Sequence, residues 1–165
     1  MDFAGIVADW NVGHFFTHPW FWASFCAWMA AQTIKLLRSL RTTHTVDFEY
    51  LVSTGGMPSA HSSMVTGLAT SIGLTEGFGT PIAMLALGFA VVTMFDAATV
   101  RRAAGEQAKV LNSMLREIRE LKFKPKHLKE LLGHTRKEVF WGMVLGACVA
   151  VLVCSLWPAS FHCAG

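Results

Sequence analysis

Four stretches of roughly 17–20 residues carry almost no charge, and nothing else in this 165-residue chain constrains its fold as tightly. Trp20 to Leu37 holds only Lys35, near its end; Pro58 to Leu74 holds no Asp, Glu, Lys or Arg; Pro81 to Val100 holds only Asp96; Val139 to Pro158 holds none. At 1.5 Å of rise per residue, such lengths match an apolar slab about 30 Å thick. A soluble helical protein would alternate polar and apolar faces over these distances, and these segments do not. The expected fold is all-α: an integral membrane bundle of about four transmembrane helices, 20–37, 58–74, 81–100 and 139–158, in one membrane domain spanning 1–165. Hydrophobic residues make up 53% of the chain and charged ones 15%, which excludes a disordered chain, and four Cys are too few for a disulfide scaffold. Cys26, Cys148, Cys154 and Cys163 show no metal spacing and read as small apolar fillers.

The basic residues give the spans a direction. Eleven of the 14 Lys and Arg lie between Arg101 and Lys137, and the others are Lys35, Arg38 and Arg41, so all of them fill or border the first and third connections. The second connection, Thr75 to Thr80, carries Glu76 and no positive charge. By the positive-inside rule the first and third connections are cytoplasmic, and Glu76 and both termini lie outside, the topology expected of a bacterial inner-membrane protein. Phe3 to Phe16 is apolar but broken by Asp9, Asn11, Gly13 and His14, so residues 1–19 read as an interfacial segment rather than a fifth span; lacking a basic start, they make a poor signal peptide. A net charge of +3 is too mild to argue for nucleic acid as a partner.

The third connection, 101–138, is rich in helix formers from Ala103 to Leu121, with an apolar stripe of Val110, Met114, Ile118 and Leu121. Pro125 breaks that helix, and a second short helix, His127 to Leu132, stops at Gly133. A cytoplasmic helical hairpin over the membrane face is expected. Its basic residues Arg116, Arg119, Lys122, Lys124, Lys126 and Lys129 read as a solvated face drawn to anionic lipid, at about 1 kcal/mol per charge.

Three motifs and one lysine can carry chemistry. In Thr54-Gly55-Gly56-Met57-Pro58-Ser59-Ala60-His61-Ser62-Ser63, at the entry to the second span, Gly55 and Gly56 let the backbone approach a ligand and Pro58 suits a first helical turn. The free N–H groups there suit a phosphate, and His61 adds a proton donor that titrates near neutrality. The competing reading is that Ser59 only caps a helix. Asp96, an acid inside a span, is expected to face the bundle interior and find a partner. Arg101 shares a helical face with Gly105, Ala108 and Asn112 and is the better oxyanion ligand; Arg102 is placed to pair with Glu106 along the helix surface. Helical spacing does not put Asp96 and Arg101 on one face. In Gly133-His134-Thr135-Arg136-Lys137-Glu138, Glu138 either orients His134 across one turn or closes a capping box with Thr135. Lys35 either snorkels to headgroups or supplies a fixed positive charge.

The expected topology brings Lys35, the Gly55–His61 turn, Arg101 and His134 to one membrane boundary. Cations, backbone donors and two imidazoles at one depth suit phosphoryl transfer, with one His as nucleophile and the other as acid. No metal or other cofactor is expected, since His61, His134, Asp96 and Glu138 match no metal-ligand spacing.

These motifs resemble the divergent branch of the type-2 phosphatidic acid phosphatase superfamily, related to acid phosphatases and vanadium haloperoxidases. The resemblance rests on Gly-Gly-Met-Pro-Ser-Ala-His-Ser-Ser from Gly55, Asp-x-x-x-Val-Arg-Arg-x-x-Gly-x-Gln-Ala from Asp96, and Leu-Gly-His-Thr-x-x-Glu-Val from Leu132, and runs from about Lys35 to Gly146. It implies Ser59 as a phosphate-binding donor, His61 as the acid, His134 as the nucleophile oriented by Glu138, and Lys35 as a phosphate ligand. The chain departs from the parent pattern in several ways: Thr42-Thr43 replace an Arg-Pro, Ala60 replaces a Gly, Glu138 replaces an Asp, and Arg101 and Arg102 precede His134 by some thirty residues instead of six, so that the expected hairpin splits the third motif.

The function expected is a metal-independent phosphatase acting on a lipid phosphate monoester of the phosphatidylglycerophosphate or phosphatidic acid class at the cytoplasmic face, through a phosphohistidine. The alternative is a non-enzymatic membrane protein that binds anionic headgroups or a partner through the same basic pocket.

Overall fold

Residues 16–43, 56–117 and 133–157 are described by the computed structural model, and all the regular structure among them is helical. In chain order the helices are α1 (Pro19–Thr43), α2 (Ala60–Glu76), α3 (Pro81–Ala98), α4 (Val100–Glu117) and α5 (Arg136–Leu156). The expected segment 3–16, the turn at Gly55 and the hairpin's second helix with Pro125 lie wholly or largely outside the described residues.

Local chemistry sets the helix starts. Ser59 caps α2, its hydroxyl accepting from the Ser62 N–H, so Pro58 lies before the helix rather than in its first turn. Thr80 caps α3 in the same way, with Pro81 at the first helical position, where its missing N–H costs nothing. Thr135 and Glu138 form a complete capping box, which starts α5 at Arg136, three residues earlier than the expected 139. At Thr99 the helical path breaks for one residue; the Thr99 hydroxyl donates to the Phe95 carbonyl at 2.6 Å, and α4 sets off from there. The charge pattern counted residues up to Val100 as one span, but α3 ends at Ala98.

Small side chains make the contacts between helices. α2 packs against α1, α3 and α5, and α1 also meets α5. Ala23, Ala27 and Ala31 are fully buried on α1, and a Cβ on Gly67 would stand 3.0 Å from both the Ala23 oxygen and the Ala27 Cβ. A Cβ on Gly142 or Gly146 of α5 would strike the carbonyl oxygens of Ser59 and Ser63, respectively. Large apolar side chains face outward: Leu85, Val92 and Phe95 on α3, and Leu152 and Leu156 on α5, are at least 60% exposed. Small residues inside and large ones outside is the arrangement of a bundle solvated by lipid, where close backbone contact replaces hydrophobic burial as the cohesive force.

Among the described residues, two helical runs, Pro81–Leu115 and Arg136–Leu156, are long and apolar enough to cross a membrane. The other two expected spans correspond to α1 and α2, which carry Ser, Gln and Lys among their buried residues. On α4, Gly105, Ala108 and Asn112 are buried, whereas Arg101, which shares their face by spacing, is exposed, as are Val110, Leu111 and Met114.

Candidate functional site

One end of the bundle gathers the groups singled out by the motifs. The His61 and His134 rings lie 6.4 Å apart, centroid to centroid. Lys35 from α1 is buried, and both it and Arg101 lie within electrostatic reach of His61. Lys35, Glu138 and His61 all act on the titration of His134.

Backbone contacts hold His134 in this place. Its N–H donates to the Ala97 carbonyl, at the last turn of α3, at 3.0 Å. Gly133 sits at φ +99°, and a Cβ there would collide with the backbone of Arg101 and Arg102, including Arg102 Cα at 2.6 Å. Only glycine allows both the backbone conformation and the close approach. The Ser59 N–H donates to the Glu138 carbonyl at 3.0 Å, tying the α2 cap to the first turn of α5. Three sequence motifs are thereby joined through main-chain atoms.

The capping reading of Glu138 holds, with His134 just outside the helix. The Glu138 Oε2 accepts the Thr135 N–H at 2.7 Å, completing the capping box, and the same oxygen lies 3.5 Å from His134 Nδ1. His134 is 2% exposed, and neither ring nitrogen makes a hydrogen bond among the described residues. Burial pushes the His134 pKa below its ordinary value, the Lys35 charge adds to this, the Glu138 carboxylate opposes it, and His61 also lowers it. The net direction favours neutral imidazole, the form with a free lone pair.

Several details depart from the spacing. Asp96 and Arg101 do meet, Nε to Oδ2 at 2.9 Å, across the irregular turn at Thr99. The pair is about 40% exposed rather than interior. Arg102 does not take Glu106, which pairs instead with Lys109 at 3.2 Å. Lys35 is buried rather than snorkelling outward, since its position on α1 faces the other helices. Ser59 is buried, and its hydroxyl is already occupied, accepting from both the Ser62 N–H and the Ser62 hydroxyl. Gly56 takes φ +91° with open space around it, while Gly55 lies outside the described residues. Asn112 is buried on the α4 face that also carries Gly105 and Ala108. Among the described residues no three His, Cys, Asp or Glu side chains form a group able to hold a metal.

The spacing alone missed the part played by Gly142 and Gly146, although a pair of glycines four apart in an apolar helix signals close helix contact. It also missed Gly133 as a docking residue; a helix stop and a left-handed contact residue look alike in sequence.

The family model described as "Divergent PAP2 family" matches residues 16–149. A membrane protein of Bacillus subtilis (strain 168), "Uncharacterized membrane protein YuiD", is 38% identical over 143 residues, covering 79% of this chain and 90% of that protein. No solved structure matches the chain.

Proposed function

This chain belongs to the divergent PAP2 family, and from that premise we propose that it is a membrane phosphatase that hydrolyses a lipid phosphate monoester at the cytoplasmic face without a metal. The observation that carries the reading is the buried His134 ring 6.4 Å from the His61 ring, with Glu138 beside it and Lys35 and Arg101 within electrostatic reach.

In this mechanism Glu138 favours the tautomer protonated at Nδ1, leaving the Nε2 lone pair of His134 to attack phosphorus. The P–N bond forms as the bond from phosphorus to the ester oxygen breaks, and protonated His61 gives its proton to that departing oxygen. Lys35 and Arg101, with the Gly56 turn, balance the charge on the phosphoryl oxygens; Arg102 supports the same field from the surface. Water, giving its proton to the now neutral His61, then attacks phosphorus, releases inorganic phosphate and restores both imidazoles. Asp96 fixes Arg101, and Asn112 supports the face on which Arg101 stands.

The sidedness is read from the sequence, in which every Lys and Arg falls in or borders the first and third expected connections. A cytoplasmic site suits lipids whose phosphate is made there, the phosphatidylglycerophosphate and phosphatidic acid class. Purified protein with EDTA should release phosphate from vesicles containing these lipids, and His134→Ala should abolish release; unchanged release would remove His134 as nucleophile.

One observation favours a second reading. His134 is buried, Ser59 is tied up as a cap, and Arg101 already has a carboxylate partner, a combination that also suits a site that recognises headgroups without turnover. That reading predicts saturable lipid-phosphate binding, weakened in Arg101→Ala, and no phosphate release under any condition.

A further inference from the structure

A cavity of about 560 Å³ opens on the α1–α2 surface, lined by Trp20, Phe21, Phe25 and Trp28 of α1 and by Met64 and Leu68 of α2. On α2, His61, Met64 and Leu68 are spaced three and four residues apart, so they stand in one row along a single helix face. The row starts at exposed His61 and runs about 10 Å along the helix axis. Beside it α1 runs antiparallel: Trp20 Nε1 donates to the Thr75 hydroxyl at 2.7 Å, and the Ser24 hydroxyl to the Met64 carbonyl at 3.3 Å. Rising numbers on α1 therefore lead toward the site, and Lys35 lies about 10 Å beyond Trp28. The groove is open at its side, with Phe25 and Met64 about 40% exposed.

We propose that this groove seats one alkyl chain of the phosphate ester, entering sideways from the bilayer, with Met64 and Leu68 setting the preference for chain over no chain. The proposal rests on the reading of the His61–His134 end as a phosphate site. Its support is complementarity along one line: cations and imidazoles at one end, carbon along the rest. An amphiphile with an anionic phosphate head and an apolar tail matches both ends, and a soluble sugar or nucleoside phosphate would leave the groove unfilled. On α3, by contrast, large side chains such as Leu85 stand exposed and do not line the groove.

The test compares Met64→Trp, which fills the groove, with Leu85→Trp, which adds equal bulk to an outer face. Binding of a non-hydrolysable long-chain alkyl phosphonate and of its short-chain, water-soluble analogue is measured for each purified protein in nanodiscs, alongside phosphate release from the matching esters. Met64→Trp should weaken long-chain binding by at least about tenfold and leave the short-chain ligand unaffected, while Leu85→Trp changes neither. Equal behaviour of the two variants, or no binding of either phosphonate to the wild type, overturns the groove. Chain-dependent binding without any phosphate release from wild type would support the groove and remove the phosphatase reading, so the two fail separately.

Discussion

The His134 N–H donates to the carbonyl oxygen of Ala97 at 3.0 Å, linking the residue just before the cap of the last helix to the final turn of the third. Residues 98–133 leave and return between those two atoms. The separation of Arg101 and Arg102 from His134 in sequence therefore costs the site nothing in space. Gly133, packed on the Arg101–Arg102 backbone at φ +99°, makes the return possible.

Gly133→Ala tests that contact. The new Cβ must displace the α4 backbone and hold a left-handed conformation, at a cost of about 1–3 kcal/mol. A lower thermal midpoint is expected, together with a loss of phosphate release of at least about tenfold as His134 shifts. An alanine variant with wild-type melting and activity would show that the contact is dispensable.

Glu138 has two tasks that substitution can separate. Thr135→Ala removes the cap hydroxyl and should cost about 1 kcal/mol of stability while leaving the carboxylate beside His134. Glu138→Gln keeps an acceptor for the Thr135 N–H but removes the charge, so it should melt near wild type and lose activity. Calorimetry and phosphate release on the two proteins check the pattern; similar losses in both would mean that the cap alone matters.

The pH dependence has a defined sign. Because the His134 pKa is lowered in the folded state, the neutral nucleophile persists below the ordinary value of about 6.5, and the acid limb of activity should lie there. Lys35→Met removes a charge that lowers this pKa and should move the His134 titration, followed by NMR of labelled imidazole, upward; Glu138→Gln should move it downward. Stability follows the same linkage: the His134 contribution is intact above about 6.5 and is lost as pH falls through the folded value, so His134→Gln should show a shallower acid loss of melting temperature. Shifts of one sign in both charge variants would contradict the assignment.

Glycine substitutions report on the interior. Gly146→Ala places a Cβ against the Ser63 oxygen and should destabilise the α2–α5 contact by about 1–3 kcal/mol, the usual cost of overpacking. Gly88→Ala, with nothing within 4 Å, should be neutral or slightly stabilising through helix propensity. Unfolding in mild detergent distinguishes them, and a neutral Gly146→Ala would imply looser packing.

Sidedness can be read with single cysteines at Glu76 and Lys109, placed in a protein whose native cysteines are replaced. A membrane-impermeant thiol reagent should reach position 76 from outside and position 109 only from the cytoplasm. Labelling of both from one side would dismantle the proposed arrangement.

The membrane class, the helical content and the identity of the chemically capable side chains were all legible in the one-dimensional pattern. They depend on where charge is absent and on which residues can titrate or bind an anion, and those properties belong to each residue alone. Helix starts were nearly as legible, because Thr80 and Thr135 cap through neighbours only three residues away. The contacts were not. Asp96 reaches Arg101 across the irregular turn at Thr99, a contact that regular helical spacing over five residues does not anticipate. Likewise Lys35 is buried because of which way α1 faces, and Gly133 finds Arg102 across a long excursion of chain. Local rules extend over a few residues, whereas the meeting of α1, α2, α4 and α5 at one end depends on close packing of glycines and alanines between helices, which is a property of the assembled bundle.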